Sequence, residues 1–491
     1  MIVHDQLYIG GVWTDPSDTT RLDIRSPHDR SLVGRSVQAL PADVDRAVAA
    51  ARRAFDEGPW GRTTPRRRQD LIVRLNQLRE ARSDEIAALI TSERGNPLWF
   101  NKAGQGGLTR QALGYLKGAR EFGWEEELDS SVPDAAFRSV VRREAIGVVA
   151  AVIPWNSPFS AALAKLIPAL LAGNTVVLKA SPENSLSMML LAGLFDELGL
   201  PEGVVSILPA DRETSEHLVA HPGVDKVAFT GSTGAGRAIA AVAGRQLKRV
   251  SLELGGKSAA IILPDADLDE AVPALRFSSL GNNGEACIAQ TRVLAPRSRY
   301  EEVVTALKDL LEGLKVGDPS EEDTFIGPLV RAEQQERVRS YIRLGVEEGA
   351  RLVTGGPESP AGLERGNYVK PTLFADVDNG MRIAREEIFG PVLVVIPFED
   401  EDEDDAVRIA NDSEYGLSGG VWTADVERGL GIARRIRTGT FTVNGAPIGF
   451  DGPFGGYKTS GTGREYGAVG LAEYVEHKTI TVPASGTMRT S

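Results

Sequence analysis

From Val148 onward, short apolar runs alternate with segments whose apolar side chains recur every third or fourth position. Val148–Ile153, Thr175–Lys179, Val204–Leu208, Lys226–Phe229 and Val250–Leu254 read as strands, with Ser160–Ala172 and Ser185–Leu198 as helices between them. Strands separated by helices imply βαβ units and a parallel sheet. A second series follows Gly255-Gly256: Ala259–Leu263, Arg292–Leu294, Val392–Pro397, Gly420–Trp422 and Phe441–Val443. The pattern predicts two α/β domains with a boundary near residue 255.

The N-terminal part reads differently. Leu7-Tyr8-Ile9, Gly10-Gly11 and Val12-Trp13 predict a hairpin, since paired glycines supply the backbone angles of a tight turn. Val44, Val48, Ala51 and Phe55 mark a helix. One longer helix is expected from Thr63 to about Arg94, opened by Pro65 and closed by Gly95 and Pro97. Phe137–Arg143 and Thr479–Val482 alternate apolar and polar residues, as antiparallel strands do, and predict a small arm outside both domains. The polar tail from Pro483 is expected to be mobile. The acidic run Glu399–Asp405 reads as the first turn of a helix that continues through Ala406–Ile409.

Composition narrows the function classes. A chain of 491 residues has room for two large domains. A net charge of -13 repels phosphate backbones and makes nucleic acid a poor partner. One cysteine rules out an intrachain disulfide and suits a reducing compartment. The N-terminus lacks a signal-peptide layout, and no apolar run approaches the ~20 residues of a membrane span. A cytoplasmic enzyme without membrane attachment is expected.

Cys287 lies in Gly281-Asn282-Asn283-Gly284-Glu285-Ala286-Cys287, where glycines let backbone approach a ligand; it reads equally as a nucleophile or a small buried hydrophobe. None of the five histidines is placed for a Cys–His dyad. His217 and His221 lack the glutamate of a zinc-protease helix and read as solvated helix residues, so no metal is expected. A carboxylate base is therefore sought. Glu253, ending an apolar strand in Ser251-Leu252-Glu253-Leu254-Gly255-Gly256-Lys257, is the candidate, because desolvation would raise its pKa. An edge-strand surface glutamate fits that segment as well. A phosphate-loop reading of Gly-Lys-Ser fails, because Ser251 stands where that loop needs glycine. Phe229-Thr230-Gly231-Ser232-Thr233-Gly234-Ala235-Gly236 joins a strand to a helix and could present N–H groups to phosphate. Four further segments sit at predicted strand ends or loops: Pro154-Trp155-Asn156, Lys179-Ala180-Ser181-Pro182-Glu183, Glu386-Glu387-Ile388-Phe389-Gly390-Pro391, and Pro453–Lys458 ahead of Gly463-Arg464-Glu465.

Taken in order, these motifs resemble the aldehyde dehydrogenase superfamily, and the wider similarity covers nearly the whole chain. The resemblance implies two doubly wound open-sheet domains, dinucleotide-binding (1–125 and 146–255) and catalytic (256–458), plus a small β oligomerisation arm and tail (126–145 and 475–491). It implies Cys287 as nucleophile, Glu253 as base, Asn156 with the Cys287 N–H as oxyanion hole, and Lys165 with Glu465 as a proton relay. It implies NAD, or NADP, held by Ile153, Trp155, Lys179, Ser181, Glu183, Gly231, Ser232, Glu387 and Phe389. The product is expected to be a free acid. The alternatives are an acylating, coenzyme A-dependent enzyme, which commonly lacks the base, and a non-catalytic binding protein on the same scaffold.

Three departures stand out. The ribose-reading acid comes one position late, at Glu183 after Pro182. Glu285 replaces a frequent glutamine and, if close to Cys287, would raise the thiol pKa. Ser157 and Ala164 are small where relatives are often bulky, so both are expected to widen the substrate entrance toward bulky apolar aldehydes; the alternative is that other residues, such as Phe450 or Ile448, refill the space and leave a small pocket. The exposed edges of the arm predict a homodimer or homotetramer.

Overall fold

The computed structural model describes residues 1–132, 135, 137–400 and 403–483. Its largest sheet has eight strands in the order Gly461–Thr462, Arg249–Glu253, Lys226–Thr230, Val148–Val152, Thr175–Ala180, Val205–Pro209, Leu7–Ile9 and Val12–Thr14. The strands from Arg249–Glu253 to Val205–Pro209 are parallel; the outer ones add antiparallel, the last two as the expected hairpin. Alternate residues of each central strand enter opposite layers. Val149 and Ala151 pack with helices Pro158–Ala172 and Ser185–Leu198, whereas Val148, Ala150 and Val152 pack with helix Pro41–Asp56. Burial on both faces explains why these strands are continuously apolar.

The parallel series starts mid-sheet at Val148–Val152, winds outward to Val205–Pro209, then reverses to Lys226–Thr230 on the other side. Ligands of such sheets bind at this reversal, beyond the carboxyl ends of the strands. Here those ends are Ile153–Asn156 and Gly231–Ser232.

The second sheet has seven strands: Arg351–Thr354, Thr372–Ala375, Val392–Phe398, Arg292–Pro296, Ala259–Ile262, Gly419–Trp422 and Thr442–Val443. All pairings are parallel except that of the first strand. Its faces alternate likewise, Ile261 and Leu294 into one layer, Ala260, Ile262 and Val293 into the other. The fold is thus the expected pair of doubly wound open sheets. The short link 254–258 runs from the carboxyl end of Arg249–Glu253 to the amino end of Ala259–Ile262. It thereby brings Glu253 toward the loop that carries Cys287 into Arg292–Pro296.

Phe137–Ala145 pairs antiparallel with Val475–Pro483, as expected, and a third strand, Glu125–Leu128, joins on its other side. The acid-rich Glu-Glu-Glu-Leu of that strand has low strand propensity. A sheet of Ile2–His4, Leu32–Val37 and Arg21–Arg25 was also not expected. The expected helix from Thr63 to Arg94 is two helices, Pro65–Ala81 and Ser83–Arg94, broken where Arg82 leaves helical geometry (φ -115°, ψ 19°). Helix Leu98–Glu121 escaped notice because its glycines weaken the helical pattern. Two of them serve close approach. A side chain at Gly114 or Gly118 would lie 2.4 Å from the Phe450 carbonyl or 2.6 Å from the Ala468 nitrogen. The acids Glu403–Asp405 occupy the first turn of helix Glu403–Asn411, as read from sequence. Residues 401–402 of that run, and the tail after Pro483, lie outside the described residues.

Candidate active site

The strand ends form one rim. The Ile153 N–H donates to the Lys179 carbonyl (3.1 Å) and the Gly231 N–H to the Glu253 carbonyl (3.0 Å). Ser232 caps helix Thr233–Arg245, its hydroxyl accepting from the Ala235 N–H at 3.3 Å. The helix start adds a partial positive charge, and at Gly234 a side chain would meet only open space. Lys179 is buried, and burial brings its amine down to about 8 against the opposing pull of Glu183 and Asp211. Burial acts to raise Glu183, but the Ser181 hydroxyl and the Arg331 guanidinium outweigh it and hold the carboxyl below its ordinary value. On the far side, Glu387 Oε1 accepts the Gly256 N–H at 3.0 Å, and burial pushes this carboxyl up to about 7. Phe389, with φ at 64°, meets Trp155 edge to face, the centroids 5.4 Å apart.

The cysteine loop turns through three successive left-handed residues, Asn282, Asn283 and Gly284. Side-chain hydrogen bonds compensate for this backbone. Asn283 donates to the carbonyls of Gly95 (3.2 Å) and Pro328 (3.0 Å) and accepts the Gly327 N–H (2.8 Å). Asn282 Nδ2 bridges the carbonyls of Asn156 (2.9 Å) and Glu285 (3.0 Å). Asn156 Nδ2 also donates to the Glu285 carbonyl at 3.0 Å, which leaves its second N–H for a ligand. Beneath the loop, only glycine fits at 256, where a Cβ would lie 2.3 Å from the Cys287 carbonyl.

Cys287 is partly exposed at the surface of this loop. Desolvation, then the carboxylates of Glu387 and Glu253, push its thiol up to about 12, against its own backbone N–H. Glu253 is 5% exposed, so the surface-glutamate reading fails. Neither of its carboxylate oxygens has a hydrogen-bond partner among the described residues. Burial, then Glu465, hold its pKa well above the ordinary carboxylate value, with Lys165 and Arg464 opposing. Lys165 Nζ lies 2.7 Å from Glu465 Oε1 and donates to Thr230 Oγ1 at 2.6 Å.

Some sequence expectations need correction. Glu285 is not among the groups that chiefly shift the Cys287 thiol. Its carboxyl points into the core, 3.6 Å from Arg94, and accepts the Val330 N–H at 3.2 Å. Ala164 does not line open space. It is 1% exposed in the core, its carbonyl accepting from the Tyr115 hydroxyl at 2.9 Å, whereas Ser157 is half-buried at the start of helix Pro158–Ala172. His217 and His221 are not simply solvated: both approach Asp45, at 2.6 and 3.4 Å. Sequence reasoning also missed Arg94, Asn282, Arg331 and, apart from Phe450, an aromatic group in which Tyr466 contacts Phe450, Phe454 and Tyr115. Arginine after glutamate at a helix end reads as solvated, and no local pattern signals that Arg94 is 0% exposed.

The model of the "Aldehyde dehydrogenase family" matches residues 13–480. The chain is 45% identical over 479 residues to a geranial dehydrogenase of Castellaniella defragrans, covering 98% of this chain and 99% of that one. It superposes with a TM-score of 0.96 on a Mycobacterium tuberculosis aldehyde dehydrogenase complexed with NAD+, at 45% identity and 99% coverage of both chains. A Pseudomonas syringae aldehyde dehydrogenase mutant, complexed with NAD+ and octanal, gives a TM-score of 0.92 at 40% identity, with 97% of this chain and 96% of that one covered.

Proposed function

The chain belongs to the aldehyde dehydrogenase family, and from that premise we propose that Cys287, Glu253 and Asn156 carry its oxidation of an aldehyde to a carboxylic acid with NAD. The observation that carries the reading is Glu253: a buried carboxyl without a hydrogen-bond partner among the described residues, close enough to a partly exposed cysteine to raise its pKa.

The residues at the rim fit a dinucleotide. The open helix start at Ser232 and Gly231 suits the pyrophosphate, alongside Ile153 and Trp155. The buried amine of Lys179, with Ser181 and Glu183, suits the adenosine ribose. Glu387 and Phe389 suit the nicotinamide ribose and ring. When bound, NAD accepts the hydride.

Cys287, partly exposed, gives up its proton to solvent water and its sulfur bonds the aldehyde carbon, leaving an oxyanion. Asn156 Nδ2 and the Cys287 N–H face that charge; donors fixed in advance are typically worth about 10²–10³ in rate. Loss of hydride leaves a thioester on Cys287. Glu253 takes a proton from water, hydroxide adds to the thioester, and the acid leaves as the thiolate re-forms. A raised pKa matches Glu253 to this task near neutral pH. Lys165 and Glu465 carry its proton onward. Retention of Glu253 favours hydrolysis over acyl transfer to coenzyme A. The test is NADH formation with and without coenzyme A. Turnover that requires coenzyme A would overturn the hydrolytic assignment, and cofactor binding without any turnover would favour a binding role.

Bulky apolar aldehydes fit best as substrates. Phe450, Phe454, Tyr466 and Tyr115 form an aromatic group that Tyr466 brings near Glu253 and Cys287, and half-buried Ser157 stands at the helix start. Each extra buried methylene adds about 0.8 kcal/mol to binding. The relatives named for geranial and complexed with octanal support the same class. Comparing kcat/KM for acetaldehyde, hexanal and benzaldehyde, with NAD and with NADP, tests it; acetaldehyde as the best of the three refutes it.

We assign 1–125 and 146–255 to cofactor binding, 256–458 to catalysis, and 126–145 with 475–491 to an arm and tail. Exposed Leu128, Phe137 and Ile480 on the arm support a homodimer or homotetramer. A monomer by light scattering across micromolar concentrations would refute that. Among the described residues no helix is long and apolar enough to cross a membrane. The single cysteine suits the reducing cytoplasm.

A further inference from the structure

Arg94 and Glu285 are both 0% exposed, and the chemistry described so far uses neither. Arg94 ends helix Ser83–Arg94 beside the first sheet, whereas Glu285 lies in the cysteine loop two residues before Cys287. The guanidinium makes three contacts at once. Nη1 donates to the Asn156 carbonyl at 2.7 Å, Nη2 lies 3.6 Å from Glu285 Oε2, and the planar group sits over the Trp155 ring, 5.2 Å from its centroid. Among the described residues Arg94 Nε and Nη2 and Glu285 Oε2 have no hydrogen-bond partner in this buried setting. The same Asn156 carbonyl also accepts from Asn282, and the Glu285 carbonyl accepts from Asn156 Nδ2. The Glu285 carboxyl in turn accepts the Val330 N–H, next to Arg331, which pairs with Glu183.

We propose that Arg94, paired with Glu285, is a positioning residue that fixes the Asn156 peptide and the Trp155 ring against the Cys287 loop, holding oxyanion donor, cofactor wall and nucleophile in register. The inference rests on the roles assigned above to Asn156 and Cys287. A planar guanidinium reaches a carbonyl, a carboxyl and a ring face together; an ammonium is a point charge and cannot. A displacement of about 1 Å at a reacting group can cost about 10²-fold in rate.

The test compares kcat, KM for aldehyde, NAD+ affinity and melting temperature for Arg94→Lys, Arg94→Met/Glu285→Gln, Asn156→Ala and Arg94→Lys/Asn156→Ala. The second variant removes both charges, so that neither is left buried alone. Arg94→Lys is expected to lower kcat by about 10–100-fold, with KM for aldehyde little changed, NAD+ binding weaker and melting close to the parent's. Combined with Asn156→Ala, it should lower kcat by clearly less than the product of the two single losses, because part of the Arg94 effect passes through the Asn156 side chain. Parent-level kcat in both Arg94→Lys and the charge-free variant, with Asn156→Ala still impaired, would overturn the positioning role alone. So would losses in the combined variant that simply multiply. Asn156→Ala at the parent rate would overturn the oxyanion assignment and, with it, this inference.

Discussion

Replacing Asn156 by alanine separates transition-state stabilisation from folding, because the structure divides the residue's contacts between side chain and backbone. The Asn156 carbonyl, held by Arg94 and Asn282, survives the substitution. The Glu285 carbonyl loses the Asn156 amide at 3.0 Å but keeps the Asn282 amide at 3.0 Å, so no buried acceptor is orphaned. The ground-state cost is one net hydrogen bond, about 1 kcal/mol. The transition state loses a donor aimed at a developing oxyanion, about 10²–10³ in kcat, or roughly 2.7–4 kcal/mol. The expected outcome is a severe loss of kcat in a protein that melts near the parent temperature and binds NAD+ as before. NADH absorbance at saturating aldehyde and NAD+ gives kcat, and differential scanning fluorimetry gives the melting point. A kcat close to the parent's, or a loss matched by global destabilisation, would refute the assignment of Asn156 as oxyanion donor.

Other outcomes follow from the same geometry. Cys287→Ser should abolish oxidation while leaving NAD+ affinity, measured by calorimetry, nearly unchanged; residual turnover with aldehyde would remove the cysteine from the mechanism. Because burial and Glu465 raise the Glu253 pKa, the base gains its active, deprotonated form only as pH rises. The deacylation rate should therefore climb with pH along a limb displaced above the ordinary carboxylate range, and that limb should vanish in Glu253→Gln; a flat parent profile from pH 5 upward would contradict the raised value. Lys257 is buried without a hydrogen-bond partner among the described residues, and burial brings it down to about 7. Folded and neutral but unfolded and charged between about 7 and its ordinary value, it should make the protein more stable as pH rises through that window. Lys257→Met should reduce this gain in urea denaturation, and an unchanged pH dependence would count against it.

What could be read from sequence follows from where the information is local. The strands of both sheets are buried on two faces, so their apolar runs stand out. Glu253, Ser232 and Lys179 could be placed because each closes or follows such a run. Asn156 and Cys287 lie in motifs that only their shared order made specific. Arg94 was illegible because its partners lie far along the chain, at Asn156 and Glu285. Whether Glu285 faces Cys287 was left open, because closeness in sequence says nothing about which way a loop with three left-handed residues turns its side chain. Helix Leu98–Glu121 was missed because the glycines that allow its close packing also weaken its helical pattern. The substrate pocket is the least legible part: Ala164 proved to be core, and the aromatic group around Tyr466 joins residues from distant segments.

The central claim is a covalent acyl-enzyme on Cys287 that Glu253 releases. The most direct measurement is intact-protein mass after mixing Glu253→Gln with NAD+ and hexanal, followed by peptide mapping of the adduct. The account predicts rapid formation of about one equivalent of NADH, little further turnover, and an acyl group that maps to Cys287. Turnover at the parent rate with no adduct, or an adduct on another residue, would contradict it.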